Sequence, residues 1–463
     1  MAERAQVDIA VIGAGPAGMA AAVRAAQAGV SVALLDENPA AGGAVWRGLD
    51  GASGARREAL ERDYPAGYKA LARLAETDFL HMREARVWEV TRERVISYSQ
   101  GGNARQLSAR RIILATGALE RPMPFPGWTL PGVLTAGAAQ IMLKTGGLAP
   151  AGPIVMAGSG PLLFLVAAQL VDAGHPPAAI VDTTPASSRV RALRRMPMRP
   201  SAWASVRTGL KWMRKLRRSG VRIYRGASGL EASGAERVNQ LRFRCRDGNV
   251  DLRCATLVIH AGVVPNVQLS RAIGIRHEWD DEGIAWHPKT DGMGRTEIEG
   301  FLVAGDGAGI AGAEAAVHSG RLAALAALDG LTPVDTAEIT RERRTQHRNG
   351  ALRPVLNAMF SPGAEFLRPD DDTIICRCEA VTAGRVRQLV RQGCLDPNAV
   401  KSQSRAGMGA CQGRYCGLTV SQIVAETLGI SPAEAGYFRL RSPVVPVSLG
   451  ELAGLDIPEG DNG

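Results

Sequence analysis

The chain has 463 residues, 46% of them hydrophobic, and is long enough to bury the cores of roughly two to four domains. Its net charge of +10 is local: residues 189–225 hold 13 Lys and Arg and no acid, so the rest of the chain is slightly acidic. Nucleic acid is not an expected partner, because no helix-turn-helix, zinc finger or aromatic RNA-binding motif accompanies the basic stretch.

The basic stretch itself predicts an amphipathic helix, since Val206, Leu210, Met213 and Leu216 recur at helical spacing. We interpret its cationic side as a solvated face of a helix that packs on a domain. The alternatives are docking of an acidic partner and peripheral contact with an anionic membrane surface.

The sequence gives no sign of export or of a membrane span. The N-terminus lacks the basic and apolar regions of a secretory signal, and the most apolar stretch, residues 154–171, is interrupted by Gly158, Gly160 and Pro161. Seven cysteines without a signal peptide indicate reduced thiols or metal ligands rather than a disulfide framework. We therefore expect a cytoplasmic protein without a transmembrane segment.

The segment VDIAVIGAGPAG predicts a strand that turns into a helix at Gly13, Gly15 and Gly18, and a second strand then ends at Asp36. The three glycines suit a tight turn, close approach of backbone N–H groups to a pyrophosphate, and close packing of helix on strand. Asp36 stands where a carboxylate accepts hydrogen bonds from a ribose. The pattern predicts a dinucleotide site, and a glycine-rich turn without a ligand is the alternative.

A second, imperfect copy of this pattern begins at residue 153. Gly158 and Gly160 are present, Leu163 stands in place of the third glycine, and Asp182 ends the next strand. A leucine at that position pushes helix and strand apart, which predicts that a second dinucleotide pocket is altered or lost.

Two further segments extend the pattern. RIILATGALE predicts a strand that ends at Ala115, Thr116 and Gly117, and FLVAGDGAGIAGAEAA predicts a strand that turns at Gly305 and Asp306 into a helix. With the glycine loops they resemble the two-dinucleotide flavoprotein fold of glutathione and thioredoxin reductases. The resemblance implies bound FAD, a bond from Asp306 to its ribityl chain, and a helix N-terminus aimed at the flavin N1–C2=O edge. An ordinary turn aspartate is the alternative for Asp306. The predicted FAD-binding residues are Gly13, Gly15, Pro16, Ala17, Gly18, Asp36, Glu37, Gly43, Arg47, Ala115, Thr116, Gly117, Gly305, Asp306 and Ala313.

The chain lacks the redox dithiol that disulfide reductases of this fold place beside the flavin, because no cysteine occurs in residues 1–244. We therefore expect no dithiol reductase activity. Cys245 and Cys254, in alternating strand sequence, are predicted to be buried structural thiols, and Cys394 is also predicted to be structural.

Four other thiols lie near the C-terminus. Cys376 and Cys378 form C-x-C, and Cys411 and Cys416 form C-x4-C after 32 intervening residues. Two close pairs that converge meet the needs of a four-thiolate metal site, and nearby glycines leave room for loops to wrap an inorganic core. We favour a [2Fe-2S] cluster; zinc and an empty site are the alternatives. Seven Lys and Arg against two acids between Cys376 and Cys416 favour the reduced form of such a cluster.

This C-terminal region resembles the bacterioferritin-associated ferredoxin domain found at the end of larger flavoproteins. With ATGALERPMPFPGWTLPGVLTAGAAQ and GMGACQGRYC, nearly the whole chain resembles the FAD-containing A, B or alpha subunit of the opine oxidase, hydrogen cyanide synthase and D-hydroxyproline dehydrogenase family. It is also similar to the central part of heterotetrameric sarcosine oxidase alpha chains. Ala44, where the family often has glutamine, and Leu163 depart from the pattern.

The resemblance implies a division of labour between subunits. A D-amino-acid-oxidase-like flavin beta subunit oxidises an amine or amino acid, and this chain carries the electrons through FAD and the cluster, so no catalytic residue is assigned here. A small ferredoxin-like [2Fe-2S] subunit could complete the complex. FMN at a subunit interface is a further implication, and Lys144 or the basic helix could meet its phosphate.

The predicted fold class is α/β, a two-dinucleotide-binding, glutathione-reductase-like flavoprotein with a small, mainly helical iron-sulfur domain. The predicted FAD-binding domain comes in two pieces, residues 1–125 and 241–330, and a degenerate NAD-type Rossmann-like domain, residues 126–240, lies between them. A linker, residues 331–372, leads to the [2Fe-2S] domain and its tail, residues 373–463. A self-contained NAD(P)H-dependent flavin and iron-sulfur reductase is the alternative function, and an iron or redox sensor is a third.

Overall fold

The computed structural model describes residues 5–54, 56–57, 60, 64–195 and 200–455. Its first sheet is built around the strand Ala5–Ile12, which is parallel to Val32–Leu35 on one side and to Asn103–Leu114 on the other. The strand Phe301–Val303 also pairs in parallel with the end of Asn103–Leu114. Across the sheet the strands follow the order Leu80–Met82, Val32–Leu35, Ala5–Ile12, Asn103–Leu114, Val95–Gln100, Arg86–Val90. Ile9 and Ile113 are fully buried, as expected where helices cover both faces of parallel strands.

The second sheet is wholly parallel, in the order Arg222–Arg225, Ala179–Asp182, Ile154–Ser159, Thr256–Ala261, Val133–Thr135. The strand Thr256–Ala261 occupies an inner place in it, whereas the predicted boundary returns the chain to the FAD-binding domain at residue 241. The difference arises because TLVIHA is an apolar run that suits a buried strand of either sheet.

The remaining strands form small antiparallel units: Ser228–Ser233 with Gln240–Cys245 and Gly248–Arg253, Ala118–Glu120 with Val263–Pro265, His277–Asp280 with Ala285–Pro288, and Ile374–Cys376 with Val381–Thr382. The helices are Pro16–Ala26, Pro65–Ala75, Ala136–Gly146, Pro161–Asp172, Ala186–Arg194, Pro200–Arg218, Gln268–Ile273, Ala313–Leu328, Thr336–Gly350, Arg353–Met359, Ala364–Leu367, Ala383–Arg391, Pro397–Ser404, Gly417–Leu428, Pro432–Ala435 and Leu449–Ala453. Among the described residues, no helix is both long enough and apolar enough to span a membrane.

The region assigned to a linker, 331–372, contains three of these helices. Thr336–Gly350 packs on Ala313–Leu328, and Glu338 accepts two hydrogen bonds of 2.8 Å from the guanidinium of Arg24. A paired, two-bond contact of this kind fixes orientation as well as distance. The polar composition of the segment concealed this packing, because only a narrow side of the helix is buried.

The basic segment forms the helix Pro200–Arg218, as predicted. Leu216 is fully buried, whereas Leu210 is 49% exposed, so the packed side of the helix does not include Leu210. Of the two thiols predicted to be buried in strand sequence, Cys254 is buried and Cys245 is half-buried.

The residues after 373 form a small unit with its own core, which includes Val386, Val420, Ile423 and Phe438. A buried arginine joins this unit to the rest of the chain. The Arg271 guanidinium lies between the rings of Trp286 and Tyr437, 4.7 and 4.5 Å from their centroids. Burial lowers the pKa of Arg271 to about 10, so it stays charged at neutral pH, and each stacked ring contributes about 2 kcal/mol when such a cation is desolvated.

His277 supports the short helix that carries Arg271. Its Nδ1–H donates to the Ile275 carbonyl at 2.7 Å, and Nε2 therefore accepts the Ser270 hydroxyl at 2.9 Å. Burial lowers the pKa of His277 to about 3, and the neighbouring Arg271 and His287 act in the same direction. Below pH 6.5 the unfolded chain therefore binds a proton at His277, whereas the folded chain binds it only as the pH falls to about 3.

We predict that this histidine makes the fold acid-sensitive. A folded pKa below the unfolded value of 6.5 means that stability is complete above that pH and is lost as the pH falls toward about 3. The His277→Gln variant should show a flatter dependence of urea stability on pH between 6.5 and 4, by up to about 1.4 kcal/mol per pH unit. The exposed His175→Gln variant is the control, and equal slopes for all three proteins would contradict the prediction.

Candidate functional site

Three loops that are distant in the sequence meet at one cleft in the first sheet. A Cβ on Gly13 would lie 2.5 Å from the Ala115 carbonyl oxygen, and one on Gly307 would lie 3.2 Å from Thr116 Oγ1. A Cβ on Gly305 would lie 2.6 Å from that of Ala17. The structure therefore brings together the glycine loop, the 115–117 strand end and the 305–307 turn.

The start of the helix Pro16–Ala26 faces this cleft without a side-chain cap. Gly15 is its N-cap, Pro16 is its first residue, and among the described residues no side-chain cap bonds the first turn. Gly43, with φ of +58°, packs so closely that a Cβ would lie 2.7 Å from Gly15 Cα. Backbone N–H groups left open at a helix start, with only glycine beside them, suit a pyrophosphate.

The two acids at the end of Val32–Leu35 have different surroundings. Asp36 is 8% exposed and accepts from Ala14 N at 2.5 Å and from both the backbone and the side-chain amide of Asn38. Glu37 is exposed. Asp36 therefore holds the glycine loop in place, and Glu37 is the more accessible acceptor for ribose hydroxyls.

Asp306 organises the start of the second helix at the cleft. Its Oδ1 accepts from Ala311 N and Gly312 N at 2.8 and 2.9 Å, directly before Ala313 begins the helix. Arg353 lies close enough to Asp306 and Asp280 for their charges to oppose the lowering of its pKa by burial. Sequence reasoning missed Arg353, because it lies in the segment assigned to a linker.

Two predicted cations are engaged within the fold. Arg47 Nε donates to the Gly43 carbonyl at 3.3 Å and so braces the 42–47 turn. Lys144 is 2% exposed, donates to the Val45 carbonyl at 2.6 Å and lies 4.5 Å from the centroid of the Tyr64 ring. Lys144 is therefore not presented at the surface, where a phosphate at a subunit interface would have to meet it.

The second glycine loop lies beside the protein's own side chains. A Cβ on Gly160 would lie 3.0 Å from the ring of His260, and Leu163 is fully buried. His260 Nδ1 bonds Glu120 Oε1 at 2.7 Å, and Glu120 Oε2 accepts from Gly137 N at 2.8 Å. Asp182 ends its strand bonded to Thr184 N and in an ion pair of 2.7 Å with Arg189. Asp182, the carboxylate that would bind a ribose in this copy, is thus already paired with Arg189.

A cavity of about 200 Å³ borders the turn at Gly305 but does not belong to the glycine loop. Its walls are residues 290–294 and the side of the helix that carries Ala315, Ser319 and Leu322, and no residue of 13–18 lines it. We therefore do not assign it to the pyrophosphate.

In the C-terminal unit the four predicted thiols meet in two pairs across the loops. The thiols of Cys376 and Cys416 are close enough to hydrogen-bond, and so are those of Cys378 and Cys411. Hydrogen bonds from Cys416 and from the backbone N–H groups of Gly407, Glu379 and Cys378 lower the pKa of Cys376 to about 6. Within the described part of the chain, no group of three or more His, Cys, Asp or Glu side chains is arranged to hold a single metal ion.

The loops that carry these thiols are strained and tightly packed. Ala380, Arg405 and Gln412 adopt φ between 51° and 63°, a left-handed conformation that is uncommon for non-glycine residues. A Cβ on Gly409 would lie 2.2 Å from that of Cys378. Only glycine at 409 therefore allows Cys378 its present position.

Arg414, which the sequence interpretation did not single out, lies between the two sites. It donates to the Cys411 carbonyl at 3.2 Å, and its charge interacts with Glu37 and with the Cys411 thiol. The position of Arg414 between Cys411 and Cys416 in the sequence could have indicated that it lies beside the thiols.

The converging loops and paired α/β sheets define a flavin-dependent oxidoreductase of the two-dinucleotide class. Residues 7–320 match the family of pyridine nucleotide-disulphide oxidoreductases, and residues 371–455 match the sarcosine oxidase A3 domain. The A subunit of opine oxidase from Agrobacterium tumefaciens (strain Ach5) is 44% identical over 97% of this chain and 92% of its own length. The chain belongs to the pyridine nucleotide-disulphide oxidoreductase family and, within it, to the family of opine oxidase A subunits.

A further relative supports this assignment, and a solved structure shares the fold. Hydrogen cyanide synthase subunit HcnB of Pseudomonas aeruginosa is 34% identical over 96% of this chain and 98% of its own length. The crystal structure of L-proline dehydrogenase from P. horikoshii shares the fold, with a TM-score of 0.69 at 21% identity over 97% of this chain and 80% of that one. The predicted family and flavoprotein fold are confirmed, while the iron-sulfur cluster stays a prediction.

We predict that Gly43→Ala weakens FAD retention. The new Cβ would meet Gly15 Cα, and alanine is strained at φ of +58°. The purified variant should keep less than half of the wild-type FAD per chain, measured from its flavin absorbance after gel filtration. Gly51→Ala, where nothing lies within 4 Å, is the matched control, and an equal FAD content in both variants would refute the prediction.

We predict that Gly409→Ala displaces Cys378 and prevents binding of the predicted [2Fe-2S] cluster, while FAD stays bound. Iron and acid-labile sulfide per chain should fall at least fivefold, with an unchanged flavin spectrum. Gly450→Ala, in open space in the helix Leu449–Ala453, should keep wild-type iron. Full iron content in Gly409→Ala would show that the thiol pairs do not hold the metal.

Proposed function

We propose that the chain is the electron-transferring FAD and [2Fe-2S] subunit of a heteromeric dehydrogenase or oxidase that acts on CH–NH or CH–NH2 donors of the opine, D-hydroxyproline or glycine type. A D-amino-acid-oxidase-like beta subunit would oxidise the donor, and a small ferredoxin-like subunit could complete the complex. The names of the relatives, subunits of opine oxidase and hydrogen cyanide synthase, support this assignment. We also propose a cytoplasmic location, in keeping with the seven free thiols.

A continuous chain of contacts from the flavin cleft to the thiols carries the proposal. Asn266 N donates to the Gly117 carbonyl at 3.0 Å, and the helix that contains Arg271 begins two residues later. Arg271 stacks on Tyr437, and a Cβ on Gly417 would lie 2.4 Å from the Tyr437 hydroxyl oxygen. Gly417 directly follows the last thiol, Cys416, so one series of contacts connects the two sites.

The residues at the cleft fit FAD. The uncapped helix start at Gly15 would meet the pyrophosphate, Glu37 the ribose, and Asp306 the ribityl chain. Arg353 and the start of the helix at Ala313 would stabilise negative charge at the ring. FAD supplies an acceptor that takes two electrons from a donor and releases them singly.

The thiol pairs fit a two-iron cluster better than a single zinc ion. Each iron of a [2Fe-2S] cluster takes two thiolates, so two separate pairs suffice, whereas structural zinc requires four ligands around one point. The backbone N–H groups that already point at Cys376 would stabilise the bound thiolate.

Two histidines that could act as a base on a substrate have structural partners. His260 is 3% exposed and pairs with Glu120, and His318 Nδ1 pairs with Glu342 at 2.5 Å. This pairing supports oxidation of the donor on another subunit.

FMN at the subunit interface stays a prediction, and the basic helix Pro200–Arg218 is the remaining candidate for its phosphate.

The alternative, a self-contained NAD(P)H-dependent reductase, requires a working second nucleotide site. The pairing of Asp182 with Arg189 and the contact of His260 with Gly160 count against that site.

An anaerobic titration of the purified chain separates the two functions. We predict that NADH and NADPH leave the flavin and iron-sulfur absorption unchanged over the mixing time, and that dithionite bleaches both. Rapid bleaching by either nicotinamide would replace the proposed function by the reductase. Bleaching of flavin bands alone by dithionite, with no iron present, would remove the cluster from the proposal.

A further inference from the structure

We propose that the solvent-facing side of the helix Pro200–Arg218 binds the surface of an anionic phospholipid bilayer. Its contact residues are Leu210 and four cations, here called the basic row: Arg207, Lys211, Arg214 and Arg218. The inference does not depend on the thiols or on any cofactor. It adds to the proposed function the surface to which the subunit is attached and the residues that attach it.

The packing of the helix turns the basic row away from the protein. Leu216 is fully buried, and Lys215 donates to the two carboxylate oxygens of Asp172 at 2.7 and 2.6 Å, at the end of the helix Pro161–Asp172. At about 100° per residue, the four members of the row project about 140° to 180° away from Leu216. All four are accordingly exposed, and they follow one another along about 16 Å of the helix.

No acid of the described chain is paired with this row. Residues 183–230 contain no Asp or Glu, and the one acid of the helix on which the basic helix packs, Asp172, is engaged by Lys215. Like charges four residues apart, as in Arg207 and Lys211, destabilise a helix that has no partner. The chain therefore bears a local cost that an anionic surface would offset.

The extent of the row favours a bilayer over a single phosphate group. Four exposed cations along about 16 Å carry more positive charge than one phosphate group neutralises, because that group carries a charge of at most about −2. A bilayer that contains anionic lipids instead presents a continuous negative surface. Clusters of four or more Lys and Arg on an amphipathic helix are typical of proteins that bind anionic headgroups.

An exposed leucine beside the row favours lipid over an acidic protein or a nucleic acid. Leu210 is 49% exposed and lies three residues after Arg207 and four before Arg214, so it is their neighbour on the helix surface. Helices that lie in the plane of a membrane combine cations with apolar side chains that enter the boundary between headgroups and acyl chains. The contact therefore depends on both charge and apolar insertion.

Co-sedimentation of the full purified chain with vesicles tests the proposal. The partition coefficient onto vesicles of phosphatidylcholine and phosphatidylglycerol should exceed that onto pure phosphatidylcholine at least tenfold at low salt. Added KCl should reduce this binding, since salt screens exposed charges. Equal binding to the two kinds of vesicle would overturn the inference.

Matched substitutions locate the contact. Arg214→Gln combined with Arg218→Gln removes two charges of the row and should lower the partition coefficient onto the mixed vesicles about 20-fold, or roughly fivefold per cation. Arg344→Gln combined with Arg348→Gln removes two exposed arginines at the same spacing from the helix Thr336–Gly350 and should lower it less than twofold. Equal losses in the two double variants would refute the basic row.

A second pair of variants separates lipid from an acidic macromolecule. Leu210→Gln keeps every charge and should lower binding to the mixed vesicles at least fivefold, because glutamine does not enter the apolar boundary. Leu395→Gln replaces a leucine that is 62% exposed outside this helix and should leave binding unchanged. Wild-type binding by Leu210→Gln would point to an acidic macromolecule and overturn the lipid assignment. Circular dichroism and FAD content are compared first in each variant, so that a loss of fold is not taken for a loss of contact.

Discussion

The flavin cleft depends on a close approach of backbone at Ala17. A Cβ on Gly320 would lie 2.0 Å from the Ala17 carbonyl oxygen, and one on Gly18 would lie 1.7 Å from that of Gly13. Since no side chain fits at either place, the helices Pro16–Ala26 and Ala313–Leu328 touch directly, although they are far apart in the sequence. Because Gly305 packs on the same alanine, the starts of both helices lie beside one cleft. The need for glycine at positions 18 and 320 thereby fixes the relative position of the two loops that precede these helices.

Much of this cleft could be predicted, because each of its loops has a sequence motif whose residues are required by local steric constraints. Gly13, Gly18 and the turn at Gly305 are of this kind. The sequence could not show that Asp36 would bond Ala14 and Asn38, since an acid at a strand end looks the same whether its oxygens are free or engaged. Arg353 escaped notice for a related reason: its place beside Asp306 follows from tertiary packing of a polar segment, which has no periodic signal.

The second sheet keeps the dinucleotide fold, and its glycine loop packs against the protein's own side chains. The imidazole of His260 contacts Gly160, where a pyrophosphate would approach, and its other side is held by Glu120. Glu120 in turn accepts from Gly137 at the start of the helix Ala136–Gly146, where a carboxylate is favoured by the helix dipole. Leu163 fills the space between helix and strand. The leucine that looked like a damaged motif is thus one part of a consistent packing of helix on strand.

Buried positive charge links the two candidate sites. Arg271 and Arg353 both have an Nε without a hydrogen-bond partner among the described residues, and Arg414 lies between Glu37 and the Cys411 thiol. Burial of cations with unsatisfied donors costs several kcal/mol unless anions compensate. In the proposed function the compensation comes from the flavin and from a four-thiolate cluster, both of which become more negative on reduction. The same arginines that stabilise the assembled protein would then hold electrons on these two centres, so retention of the cofactors and their reduction potentials depend on one set of charges.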